Sequence, residues 1–253
     1  MVSTNRPVRA RGLVRAGIAS IAAVAAAAAV FVLPASAQRE YFVLPHATLD
    51  PATTSTREVV VLAGGCFWGV QAVYQRIRGV ESSVSGYSGG AAETAQYRLI
   101  GTGATGHAEA VEMVYNPQEI SYGEILRIFF SVAHNPTQLN YQGSDVGTQY
   151  RSNVFYTTEE QRQVTEAYIA QLTAAGVYNA PIVTRVDALA AFYPAEAYHQ
   201  DYLVNEGRGD PYGPNVAYLD YWDVPKVQNT QSLFPEYWRD SPVTVASTRP
   251  DLI

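Results

Sequence analysis

One thiol in 253 residues, Cys66, rules out any disulfide within this chain, so its fold has to be held by an ordinary apolar core. Hydrophobic side chains make up 47% of the sequence, enough to build one. The flanks of the cysteine indicate how that core begins. Residues 58–62 are rich in β-branched side chains and read as a strand, Gly64 and Gly65 permit a sharp turn, and 67–77 carries apolar residues at helical spacing. Cys66 therefore stands at a helix start, where unpaired backbone N–H groups and the positive end of the helix dipole favour thiolate over thiol. This placement predicts a thiol drawn below its ordinary value and reactive as a nucleophile. The plainer alternative, a small buried hydrophobe, fits poorly with two glycines before it and Phe67 and Trp68 after it.

Residues 1–37 read as an export signal. Arg6, Arg9, Arg11 and Arg15 form a basic leader, 17–33 is an Ala/Val/Ile run, and Ala35-Ser36-Ala37 offers small residues for cleavage before Gln38. The competing reading is an uncleaved membrane anchor. Cleavage would send the protein to the periplasm or the exterior, leaving about 215 residues, the size of one domain. It removes four arginines and no acid, taking the net charge from −6 to −10. With Lys226 the only lysine and no basic stripe, nucleic acid is excluded as a partner. Without the signal, no stable membrane contact is expected, and the chain is expected to be a monomer.

Residues 38–56 lack periodicity and contain Pro45, Pro51 and a Thr/Ser cluster, which predicts a flexible arm before a folded domain at 57–240; 241–253 reads as a tail. Within the domain, 80–87 and 108–115 read as strands. Ser121 with Glu124 makes a capping-box signature for a helix to about Ala133, and Thr158 caps a longer helix that stops at Gly176. A short strand is expected at 182–186 and a last helix from Pro194 through Tyr202. Beyond Asn205 the chain is rich in Pro, Gly, Asn and Tyr and should wrap the surface irregularly. Strands and helices alternate irregularly, which predicts an α+β fold, a compact two-layer sandwich, over a doubly wound sheet.

Five separated motifs concentrate residues capable of chemistry. They are Gly65-Cys66-Phe67-Trp68-Gly69; Gly86-Tyr87-Ser88-Gly89-Gly90 with Tyr97; Gly106-His107-Ala108-Glu109; His134-Asn135-Pro136 with Asp145 to Ser152; and Ala195-Glu196-Ala197-Tyr198-His199-Gln200-Asp201-Tyr202. In order and spacing these resemble the A-type peptide methionine sulfoxide reductases, over roughly residues 58–202, in a single-cysteine form. The resemblance implies a mixed sheet with a ferredoxin-like core. It also implies reduction of the S epimer of methionine sulfoxide, protein-bound or free, with no bound cofactor or metal.

Sulfoxide reduction needs a nucleophile for sulfur and a proton for the departing oxygen. By the resemblance, Cys66 attacks and becomes a sulfenic acid, Glu109 supplies the proton, Tyr97 and Tyr150 hydrogen-bond the sulfoxide oxygen, and Asp145 supports the polar network. Phe67 and Trp68 would receive the substrate methyl group. Glu109 must then be protonated near neutral pH, which burial would achieve. Taken alone, a strand glutamate reads first as a solvated side chain, with Glu112 on the opposite face. Many family members carry further cysteines that resolve the sulfenic acid. This chain has none, so an external thiol, a thioredoxin-like protein or a small molecule, is the expected reductant. Two other functions compete: an exported cysteine hydrolase pairing Cys66 with His107, His134 or His199, and a non-catalytic thiol sensor. A hydrolase needs histidine at the sulfur, whereas a reductase needs Glu109 and the tyrosines there.

Overall fold

Val59, Val60, Val61 and Leu62 make β1 (Glu58–Gly64) a strand with both faces buried, because successive side chains point to opposite sides of the sheet. The computed structural model describes residues 41–253, and around β1 it places α1 (Phe67–Tyr74), β2 (Val80–Ser88), α2 (Tyr97–Ile100), β3 (Ala108–Tyr115) and α3 (Tyr122–Ile128). A short hairpin, β4 (Tyr141–Gln142) and β5 (Asp145–Val146), precedes β6 (Ser152–Tyr156), α4 (Glu159–Ala174), β7 (Arg185–Ala188) and β8 (Phe192–Pro194). The C-terminal part adds α5 (Val216–Tyr218), α6 (Val224–Leu233) and α7 (Val245–Thr248). The expected export signal lies outside the described residues.

The main sheet has the order β7-β6-β1-β3-β2-β8. Its neighbours are antiparallel except for β6 and β7, so it is mixed. The central strands β6-β1-β3-β2, with α1 between β1 and β2 and α3 between β3 and β6, form the β-α-β-β-α-β ferredoxin-like arrangement. Leu62, Val111 and Met113 pack with Tyr74, Leu126, Phe129 and Tyr168 in the larger core. Val61, Ala63, Ala108, Ala110 and Phe155 form a smaller cluster. Along β3 the odd positions thus belong with the larger core and the even positions with the smaller one.

Several local expectations are corrected. The helix after Cys66 ends at Tyr74. Ser121 caps α3 by accepting from the Glu124 N–H, but the Glu124 carboxylate turns to Arg127 at 2.9 Å, so the box is half made. The strand expected at 182–186 is displaced to β7, since the Val183 N–H is taken by the Pro136 carbonyl at 2.8 Å. No helix runs from Pro194 to Tyr202. Pro194 sits in the edge strand β8, and only a 3₁₀ turn at Ala197–His199 forms. The Gln200 side chain bridges the Ser85 N–H and carbonyl, which holds its backbone extended, and Asp201 follows at φ +55°.

Residues 41–56 have no regular structure, yet they are not loose. Leu44 is buried, its N–H donates to Ser131 Oγ and its carbonyl accepts from Arg127, while Asp50 accepts from Ser121 and from the Gly123 N–H. The arm is a strap packed on α3. The tail is tied down as well: Val245 is buried and its N–H donates to Asp201.

Candidate active site

Gly65, at φ +89°, takes the left-handed turn from β1 into α1 and leaves no room for a side chain, since a Cβ there would stand 2.6 Å from Gln142. The turn delivers Cys66, 8% exposed, as the residue before the first turn of α1. β3 runs antiparallel beside β1 with Leu62 opposite Val111, and the same register continued sets Glu109 across from Gly64, at the mouth of this turn. Its position on β3 places the carboxylate with the larger core, where it is 3% exposed, and Glu109 Oε2 accepts the Phe67 N–H at 3.1 Å. The acid and the thiol are therefore joined through one peptide unit.

Burial pushes the Glu109 carboxyl up to about 8, helped by Asp145 and Asp223 and opposed by the Phe67 N–H. It is mostly protonated at neutral pH. Cys66 departs from expectation: its thiol is raised well above its ordinary value rather than lowered. Burial is the leading cause, followed by Asp223, Glu109 and Asp145, and Lys226 is the one opposing charge. The helix effect loses because the thiol is desolvated, because the charges of three carboxyl groups act on it, and because the first helical N–H is already given to Glu109.

Tyr97 opens α2, and Tyr150 ends a 3₁₀ turn at Thr148–Tyr150. Both phenols are raised by burial and then by the charges of Glu109 and Cys66, so they remain protonated and lie within electrostatic reach of the same two groups. Asp145, on β5, accepts a hydrogen bond from the Tyr218 hydroxyl; burial raises its carboxyl while Tyr218 and Lys226 oppose. Phe67 packs on Tyr87 and His199, with ring centroids 5.8 and 5.1 Å away. Trp68 stacks on Tyr202 at 3.6 Å with planes 4° apart, and its Nε1–H donates to His199 Nδ1 at 3.2 Å. An open cavity of about 640 Å³ is lined by Trp68, Tyr97 and His199 together with Asp210 and Tyr212. Of the seven residues singled out from the sequence, Cys66, Phe67 and Glu109 are joined through the Phe67 hydrogen bond, Trp68 and Tyr97 line the cavity, and Tyr97, Tyr150 and Asp145 lie within electrostatic reach of Cys66.

The histidines do not pair with the sulfur. His107 holds Ala91 and the Gly90 N–H, and His134 bridges the Phe129 carbonyl and Thr184. His199, lowered to about 4 by burial, is a neutral ring that receives the Trp68 N–H. The feature that separates hydrolase from reductase falls on the side of the reductase. Sequence reasoning quoted Tyr202 within a motif without giving it a role, and missed Tyr218, Asp223 and Lys226; all four come from the stretch after β8. One signal was present: Asp223 and Lys226, the only lysine of the chain, are spaced i, i+3 around Pro225, a residue suited to the first turn of a helix.

The comparisons with known proteins agree with this geometry. The family model described as peptide methionine sulfoxide reductase matches residues 58–218. The chain is 49% identical over 199 residues to peptide methionine sulfoxide reductase MsrA 2 of Mesorhizobium japonicum, covering 79% of this chain and 98% of that protein. It is 45% identical over 194 residues to the protein of the same name from Synechocystis, covering 76% and 87%. The solved methionine sulfoxide reductase A of Corynebacterium diphtheriae superposes with a TM-score of 0.53 at 33% identity, over 70% of this chain and 89% of that one. Matched through β1, α1 and the strand that carries Glu109, the chain belongs to the peptide methionine sulfoxide reductase family.

Proposed function

We propose that the protein reduces the S epimer of methionine sulfoxide, in proteins and as the free amino acid, with Cys66 as nucleophile and Glu109 as proton donor. The observation that carries this reading is the buried Glu109 carboxyl, raised to about 8 and hydrogen-bonded to the peptide unit that follows the thiol. Because Oε2 accepts the Phe67 N–H, Oε1 is the oxygen left to bear the proton. Cys66 as thiolate attacks the sulfoxide sulfur while Glu109 protonates the sulfoxide oxygen and Tyr97 and Tyr150 donate to it. The hydroxyl oxygen then passes to Cys66, and both the S–S bond formed in the attack and the sulfoxide S–O bond break as the new S–O bond forms. The products are methionine, reduced by two electrons, and a Cys66 sulfenic acid, oxidised by two. The proton lost by the thiol replaces the one Glu109 has given up. Phe67 and Trp68 form the apolar wall for the methyl group.

Recycling follows from the cysteine count. One external thiol displaces water from the sulfenic acid to give a mixed disulfide, and a second releases the Cys66 thiol with an external disulfide. A dithiol protein of the thioredoxin type or a small thiol supplies both. The leader at 1–37 supports export to the periplasm or the exterior, and a mature amino terminus at Gln38 is the result that checks it. The chemistry is tested by single-turnover mass spectrometry with each epimer. The expected result is one methionine per chain and a one-oxygen gain on Cys66 with the S epimer only, abolished by Cys66→Ser; methionine release by Cys66→Ser refutes the reading.

A further inference from the structure

Gly69 lies in the interior of α1, where a glycine costs about 1 kcal/mol against alanine. A packing cause is visible: a Cβ at this position would stand 2.2 Å from Asp223 Oδ1 and 2.8 Å from Lys226 Nζ. These two side chains form an ion pair at 3.2 Å, wedged onto α1 three residues after Cys66 and hence over the helix face that begins at the thiol. Asp223 is fully buried, its Oδ2 has no hydrogen-bond partner, and Lys226 is 9% exposed. A desolvated pair with an unsatisfied oxygen is a weak source of stability. Its position suggests another use.

We propose that Lys226 is the counter-ion of the Cys66 thiolate and that Asp223 holds it in place and attenuates it, making the pair positioning residues for the attack. The inference rests on the reading of Cys66 as the nucleophile. The other groups that act on the sulfur are Glu109 from β3 and Asp145 from β5, and both work against the thiolate. The phenols of Tyr97, Tyr150, Tyr202 and Tyr218 feel the sulfur's charge and are held protonated, so they add no charge over the working range. Tyr41, on the strap, acts on Lys226. Lys226 is thus the only cation among the groups that set the thiol, and its own value is raised by Asp223 and by Cys66 against the cost of burial. A substrate-ready thiolate among three carboxyl groups needs one of them protonated, which Glu109 supplies, and one positive charge, which Lys226 supplies.

The test is the rate of Cys66 alkylation by iodoacetamide in the full chain from pH 5 to 10, repeated in a Glu109→Gln background to remove that group's own titration. Lys226→Met should move the alkylation inflection upward by about one unit and slow alkylation at pH 7 about tenfold, and Lys226→Arg should restore most of it. Asp223→Asn should move the inflection the opposite way and speed alkylation, because it frees the cation and removes an anion. A purely structural role for Lys226 leaves the inflection of a folded Lys226→Met where it is in the wild type. A folded Lys226→Met with the wild-type profile, or an Asp223→Asn whose inflection fails to fall, overturns the proposal; if Lys226→Met does not fold, Lys226→Gln read against Lys226→Arg takes its place, and equal inflections in those two overturn it. Alkylation needs no turnover, so residual reductase activity in Cys66→Ser would sink the catalytic reading and leave this result standing.

Discussion

Two glutamates three residues apart on β3 show what the sheet does to identical chemistry. Glu109 is grouped with the larger core, 3% exposed and set against the start of α1, and its carboxyl rises to about 8. Glu112 has the opposite parity, with Ala108 and Ala110, and is half-buried; burial raises its carboxyl too, but Arg249 and Arg57 pull it back. One is surrounded by carboxyl groups and a thiol, the other by guanidinium groups. Residue type is the same, so the difference comes from the pleat and from what each face packs against.

The largest expected effect comes from the first of these. Glu109→Gln keeps the shape and the hydrogen bond from Phe67 but removes the transferable proton, so single-turnover sulfenic acid formation should fall on the order of 10²- to 10⁴-fold. Wild-type single-turnover rates should decline as pH rises through about 8, as the acid form is lost. A folded-state value raised from the ordinary 4.5 to about 8 also makes the neutral carboxyl a source of stability. That stability is present in full below the unfolded value and disappears as pH rises through the folded value. Thermal unfolding of the Gln variant should therefore be flatter between pH 5 and 9 than that of the wild type. A near-normal single-turnover rate in Glu109→Gln would erase the contrast between the two glutamates.

How much of this could be read beforehand depends on how local the signal is. The turn at Gly65, the strand that carries Glu109 and the caps at Ser121 and Thr158 were legible, because each is written in a short window of sequence; the seven candidate site residues stand in short motifs in the same way, and their roles are part of the proposed function. The direction of the Cys66 shift was not. The helix start was visible, but the burial that chiefly reverses its effect is a product of the tertiary fold, and the three carboxyl groups that add to it come from β3, β5 and the C-terminal part, 43 or more residues away in sequence. Gln200 is a similar case, since a glutamine that looks helical is held extended by a distant strand backbone at Ser85. The stretch after β8 was read as irregular wrapping and in fact carries α6, whose Lys226 reaches the site. Tertiary contacts of long sequence separation override local propensity at each of these places.

The two tyrosines extend the contrast to the groups that polarise the oxygen. The Tyr97→Phe, Tyr150→Phe double variant should lose about 10²-fold in single turnover, since both donors to a developing charge in a buried site are removed. Tyr97→Phe alone should lose about tenfold, because Tyr150 still donates. Neither change should move the limb near pH 8, which belongs to Glu109. A double variant with the wild-type rate would assign oxygen polarisation to other groups.

The smallest expected effect is the control on the other face. Glu112→Gln removes a carboxylate opposed by Arg249 and Arg57, and such partly exposed charges contribute about 0–1 kcal/mol to stability. Because its position on β3 groups it with the smaller cluster rather than with Cys66, single-turnover rates should stay within about twofold of wild type and the limb near pH 8 should be unchanged. A tenfold loss, or a displaced pH limb, would mean that charge is felt across the sheet. The chemistry would then depend on the total charge around β3 rather than on which face a carboxyl group occupies.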